Sequence, residues 1–303
     1  MQNNRSAALI KNSIVITIVL LVCKVLSFVR DMLLANYLGA SELSDVFLAS
    51  SGVLFLFTSL VLSPFSASYL PIATEHYLHD PEQGRSPFFG KIYGAVLALG
   101  TIFLLVMLLF LRPLVELMVP GFSPEAKTQL ADMLLLQLPV LLFVMLSGAV
   151  DGNLRLLGHL SLAEASNGVI ALVYVLYLLL FRHHITAAGL GLSTVAAYGA
   201  SLLLCAAAAA HGGIPLRLRR FSRKDPEIQE IFLAMLPFLL AGCAKQINAL
   251  VDRIVASLLD SGSVTIQSYA SKMTVTEVGL ISTAVSMVIF AQASRLSAEH
   301  DTG

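Results

Sequence analysis

The sequence predicts an all-α, polytopic membrane protein, and three observations carry that prediction. Of its 303 residues, 57% are hydrophobic and only 13% are charged. Apolar stretches of about 20 residues recur along the whole chain. A soluble domain carries about a quarter charged residues, so this chain has too little polar surface for one. Its mean hydropathy of +0.82 agrees. A backbone that crosses hydrocarbon must satisfy its own hydrogen bonds, so each crossing is expected to be a helix.

Eight apolar segments follow one another, at 13–37, 45–69, 88–111, 129–150, 162–181, 187–210, 230–258 and 264–292. The first, seventh and eighth contain charges and are the least apolar. The start, MQNNRSAALIKNS, leads into the first segment without a small-residue cleavage pattern, so that helix is expected to be retained. Connections are short, as at 39–44 and 260–263. Pro64, Pro139 and Pro237 fall inside segments, where each removes a backbone hydrogen bond and favours a kink. Gly90 and Gly94 would let another helix approach the third segment closely, and the alanine run 206–210 makes another thin wall. Cys23, Cys205 and Cys243 all lie in apolar runs without a CxxC pattern. They read as small buried hydrophobes. His183 and His184 stand at a helix end, where solvent exposure explains them better than a metal.

Basic residues set the orientation. With a cytoplasmic N-terminus, eleven stand inside: Arg5, Lys11, Arg85, Lys91, Arg155, Arg217, Arg219, Arg220, Arg223, Lys224 and Arg295. Only Arg112, Lys127 and Arg182 then stand outside, a clear positive-inside bias. Most of it comes from PLRLRRFSRK, a stretch that could also meet anionic lipid headgroups. The chain is formally neutral and its basic residues form no exposed domain, so nucleic acid is not an expected partner. The organisation expected is a six-helix lobe at 1–211, a basic cytoplasmic linker at 212–226, and two helices of a second lobe at 227–303.

A repeat supports that division. Lys24, Asp31, Ala35 and Leu38 recur 221 positions later as Lys245, Asp252, Ala256 and Leu259. Both copies read Lys-x6-Asp-x3-Ala-x2-Leu. Six spans separate them, so both cross the membrane in the same direction, as in a parallel repeat. Seven helical residues advance about 700° and about 10 Å, which puts Lys24 and Asp31 on one face with Arg30 beside them.

A charge inside a membrane helix costs roughly 2.5–3.5 kcal/mol on insertion scales, so such charges pair or bind something. Lys24, Arg30, Lys245, Arg253 and Lys272 are the basic residues within or at the edges of spans. Asp31, Asp45, Glu164, Asp252 and Glu277 are the acids. Converging cations would suit a phosphate-bearing substrate. Alternatively, Lys24 and Lys245 neutralise Asp31 and Asp252 as structural locks. Enzyme signatures such as GxSxG, a P-loop, HExxH or a dinucleotide glycine pattern are absent from the sequence. A membrane-embedded transferase built on Asp31 and Asp45 would lack the nucleophile or metal pattern that such chemistry needs.

Several stretches together carry a family resemblance. They are KVLSFVRDMLLANYLGASELSDVF, Pro71 after the second span, Pro120-Gly121-Phe122, LPVLLF from Leu138, Gln246-Ile247-Asn248 with Val251-Asp252, and Gly262-Ser263-Val264 with Tyr269-Ala270. Spread over nearly the whole chain in order, they resemble the MurJ/MviN family of lipid II flippases, within the superfamily of polysaccharide and multidrug exporters.

The resemblance implies a two-lobed, V-shaped transporter of the bacterial inner membrane, not an enzyme. A central cationic cavity would take the head of a polyprenyl-diphosphate-linked glycan lipid and pass it across by alternating access. Lys24, Arg30, Asp45, Lys245 and Lys272 are the implied substrate-site residues, Asp31 a charge-pair partner and Asp252 an ion-coupling acid. No organic cofactor or structural metal is implied; a sodium ion or the membrane potential would reset the carrier. Cell-wall synthesis proteins are the implied protein partners.

Two departures bear on the cargo. The stretch 55–60, FLFTSL, lacks the charge that the family commonly has in its second span. Lys24 and Lys272 stand where the family usually has arginines, and lysine loses planar bidentate contact with phosphate. Another undecaprenyl-linked glycan therefore fits beside lipid II, and a non-transporting, degenerate paralogue is the further alternative. The family has fourteen spans, so these 303 residues are expected to be a piece of a longer protein.

Overall fold

A computed structural model describes residues 2–79 and 87–274, with side chains from residue 15 onward except that of Lys245. It is helical throughout, in chain order α1 (Gln2–Leu38), α2 (Glu42–His79), α3 (Pro87–Leu109), α4 (Leu111–Met118), α5 (Pro124–Leu156), α6 (Leu160–Leu180), α7 (Ala187–His211) and α8 (Pro226–Ser257). A further helix, α9, is described over 263–274. Among the described residues, α2, α3, α5, α6, α7 and α8 are long and apolar enough to cross a membrane. The protein is thus a multi-pass helical membrane bundle.

Local chemistry places the helix ends. The Ser41 hydroxyl accepts from Ser44 N–H at 3.3 Å, and Glu42 and Asp45 set negative charge in the first turn of α2. Ser123 caps α5 by accepting from Ala126 N–H at 3.0 Å, followed by Pro124 in the first turn. Thr186 caps α7 in the same way through Gly189. Pro226 opens α8, where the basic linker was expected to end.

Four sequence expectations change here. The third segment stops at Leu109 instead of 111, and an unanticipated short helix, α4, follows. The capped start at Ser123 moves the fourth segment forward from 129. Pro71 lies within α2 rather than after it, because the helix runs on to His79. At 38 residues, α2 is about 57 Å long and outreaches the hydrocarbon. Cys243 is exposed, while Cys23 and Cys205 are buried as expected. Cys243 lies on α8, which meets neighbours mainly along α2 and leaves much of its surface open.

α5 is the hub, packed against α7, α2 and α3, while α1 packs on α6 and α6 on α7. One core, with Phe47, Leu134, Leu141, Tyr174 and Leu190, fills the end nearer the α1–α2 turn. A second, with Tyr69, Phe88, Tyr93, Leu154 and Met235, fills the opposite end. There Tyr69 O–H donates to Asn153 Oδ1 at 2.5 Å, and Asn153 Nδ2 donates to the Tyr93 hydroxyl oxygen at 2.7 Å. The chain of bonds ties α2, α5 and α3 together and satisfies polar groups that hydrocarbon cannot.

Gly90 and Gly94 of α3 receive no helix. Arg219 N–H donates to Gly90 O at 3.0 Å. A Cβ at Gly94 would collide with the Arg219 carbonyl. The linker backbone lies where the packing helix was expected. Lys91 fastens its far end through Asp225 at 3.5 Å and Glu227 at 3.6 Å.

Candidate functional site

Charges from α1 and α9 meet at Asp31. Arg30 donates to Asp31 Oδ1 through Nε at 3.0 Å and Nη2 at 2.9 Å. Lys272 Nζ, 241 residues away in sequence, donates to the same oxygen at 3.2 Å. Two cations share one carboxylate, leaving one positive charge in excess. None of the three is sealed off: 22% of the Arg30 and Asp31 side chains and 42% of Lys272 remain accessible.

Aromatic rings back both cations. The Arg30 guanidinium carbon lies 5.8 Å from the centre of the Tyr174 ring, and Lys272 Nζ lies 5.3 Å from that of Tyr269. Tyr174 is fixed in turn. Its hydroxyl donates to Thr194 Oγ1 at 2.7 Å, which also accepts from Gln137 Nε2 at 3.1 Å. Phe47 of α2 meets the ring edge-on at 6.0 Å between centroids. Side chains of α2, α5, α6 and α7 thus hold one arginine of α1. Sequence reasoning missed Tyr174, Thr194 and Gln137. The available signal was a tyrosine in mid-span, away from the membrane interfaces that tyrosines favour.

The expected facing pair, Lys24 with Asp31, does not form. Lys24 is exposed, and among the described residues it makes no ion pair. A shared helix face still leaves about 10 Å of rise between the two. Adjacent Arg30 and the incoming Lys272 reach Asp31 over shorter paths. Lys245 lies on α8, and its side chain is outside the described residues. Glu277 and the rest of the eighth segment beyond 274 are outside them too. Glu164 pairs with Arg155 at 2.6 Å, away from Asp31.

Asp45 stands apart from the cations. It is 3% exposed, and its carboxylate accepts from Gly262 N–H at 2.5 Å, Thr265 N–H at 2.7 Å and Thr265 O–H at 2.6 Å. An acid of α2 therefore caps α9, satisfying helix-end amides and facing the positive end of the helix dipole. Close backbone contacts surround this cap. Gly262 has φ +94°, a conformation favouring glycine, and a Cβ there would meet Ala40. A Cβ at Gly121 would overlap the Ser257 carbonyl at the end of α8. Asp252 is exposed on α8, and no cluster of three or more metal-ligating His, Cys, Asp or Glu occurs among the described residues.

Paired charges held between long apolar helices define a multi-pass integral membrane protein of all-helical fold. Two solved structures share that fold. "Lipid II flippase MurJ, inward closed conformation" superposes with a TM-score of 0.68 at 19% identity, covering 88% of this chain and 56% of that one. A ligand complex of the "MATE multidrug transporter DinF-BH" gives 0.67 at 20% identity, covering 87% and 58%. By sequence, the chain is 27% identical to "Probable lipid II flippase MurJ" of Vibrio cholerae, over 96% of this chain and 57% of that protein. It is 24% identical to the protein of the same name from Buchnera aphidicola subsp. Schizaphis graminum, over 93% and 56%. The family described as "Lipid II flippase MurJ" matches residues 34–303. The chain belongs to that family, whose members are named as transporters and not as enzymes. It spans a little over half the length of the curated relatives it matches.

Proposed function

We propose that the chain contributes its helices to a flippase that carries a polyprenyl-diphosphate-linked glycan, of lipid II type, across the bacterial inner membrane by alternating access. The observation that carries this reading is the convergence of Arg30 and Lys272 on a single carboxylate. Their excess positive charge suits a diphosphate, and both side chains keep accessible surface. Lys24 and Lys245 are assigned secondary parts in the same site. Asp45 is assigned to the clasp between α2 and α9, because its oxygens already accept three hydrogen bonds.

The division into lobes at 1–211 and 227–303, joined by a cytoplasmic linker at 212–226, belongs to the same proposal. It is supported by the helix starts at 42 and 263, spaced by the 221 residues of the sequence repeat. A cytoplasmic N-terminus is supported by the basic loops.

The test is transport of lipid-linked glycan in cells or proteoliposomes carrying the full gene. Arg30→Ala and Lys272→Ala are expected to abolish translocation at unchanged membrane abundance. Normal flipping by both variants sinks the proposal. A second cargo, another undecaprenyl-linked polysaccharide, is favoured by the uncharged 55–60 stretch of α2. Rescue of exopolysaccharide export without rescue of peptidoglycan synthesis would select it.

A further inference from the structure

Arg253 sits in the seam between α8 and α2, outside the Asp31 cluster. Its guanidinium rests directly on Gly52, where a Cβ would overlap Cζ and both terminal nitrogens. Nothing larger than glycine fits at 52 with Arg253 in this position. Nε is buried without an acceptor, and among the described residues no carboxylate lies within ion-pair distance of this side chain. Neighbouring Asp252 is exposed and does not turn back to it.

A guanidinium offers five N–H donors and remains charged at any physiological pH. Leaving its Nε without an acceptor between membrane helices is costly. A mere spacer between α2 and α8 could be an apolar side chain, which carries no such cost. An anion that arrives and departs would relieve the cost only while bound. Position along α2 connects the seam with the site. Phe47, which contacts the Tyr174 ring behind Arg30, is five residues from Gly52, about 7.5 Å along the helix. An elongated diphosphate head can reach between two levels so spaced.

We propose that Arg253 is a phosphate-recognition residue, taking phosphate oxygens of the polyprenyl-diphosphate head while Gly52 keeps its seat clear. This rests on the flippase reading above and adds to it a donor from α8. The planar fork of Arg253 supplies the bidentate contact that Lys272 cannot.

The test uses the product of the full gene in detergent, with binding read by native mass spectrometry. Undecaprenyl diphosphate, inorganic pyrophosphate and phosphatidylglycerol are the probes. Arg253→Gln and Gly52→Val are each expected to weaken undecaprenyl diphosphate binding by about 10-fold, with Arg253→Lys weakened less. In the unaltered chain, undecaprenyl diphosphate should shield Arg253 from phenylglyoxal, a readout that survives if a variant fails to fold. Full labelling of Arg253 under saturating lipid overturns the proposal, as does unchanged affinity in Arg253→Gln. If Arg30→Gln loses binding while Arg253→Gln does not, only the role of Arg253 falls. If the unaltered full-length protein ignores undecaprenyl diphosphate, the flippase reading falls with it. Equal shielding by pyrophosphate or phosphatidylglycerol makes this a general anion seat and refutes lipid-head recognition.

Discussion

Asp31 holds two cations through one oxygen, so its removal leaves Arg30 and Lys272 repelling each other. Asp31→Asn is expected to destabilise the protein by about 1–3 kcal/mol, seen as a lower thermal midpoint in detergent. Asp45 makes a different prediction, because its partners are mostly backbone amides. Asp45→Ala strips the cap from α9 and leaves buried donors unmet. Exchange at the Gly262 and Thr265 amides should accelerate by about 10-fold or more, with Asp45→Asn intermediate. Unchanged exchange would mean that other acceptors replace the carboxylate. Both aspartates are visible in the sequence as costly intramembrane acids. Their partners are not visible, because Lys272 lies 241 residues from Asp31 and Gly262 lies 217 from Asp45.

Among the elements, the 212–225 linker is the one most altered by tertiary context. Its sequence reads as a loose basic loop, yet its backbone docks in the groove opened by Gly90 and Gly94. Gly94→Leu should expel it, and trypsin should then cut after Arg217, Arg219 or Arg220 faster than in the unaltered protein. An unchanged cleavage rate would show that Lys91 and its acidic partners suffice to hold the linker. The Gly-x3-Gly pattern announced a close approach but not by what. A backbone strand and a helix exploit the same missing side chains.

At the scale of the whole molecule, the contacts of Gly121 with α8, Gly262 with Ala40 and Asp45 with α9 gather at the end of the bundle where α1 turns into α2. The alternating access proposed above requires that such an end can part. Gly121→Val would drive a side chain into the Ser257 carbonyl and prise this end open. In a Ser257→Cys background, that change is expected to speed maleimide labelling of position 257, located by mass spectrometry. Ser257 is otherwise buried, at 2% exposed. Equal labelling would show that the end yields without opening.

The sequence by itself determined the all-helical membrane class, the positions of the long helices and the family. Those follow from composition, hydropathy period and motif order, which are local or summed along the chain. Tertiary structure decided which charges meet, that Asp45 serves α9, that the linker fills the α3 groove and that Arg253 lies against Gly52. The physical reason is reach. A helix face fixes direction to within a fraction of a turn. An ion pair, however, forms only within a few ångströms, and that proximity is set by how distant helices pack.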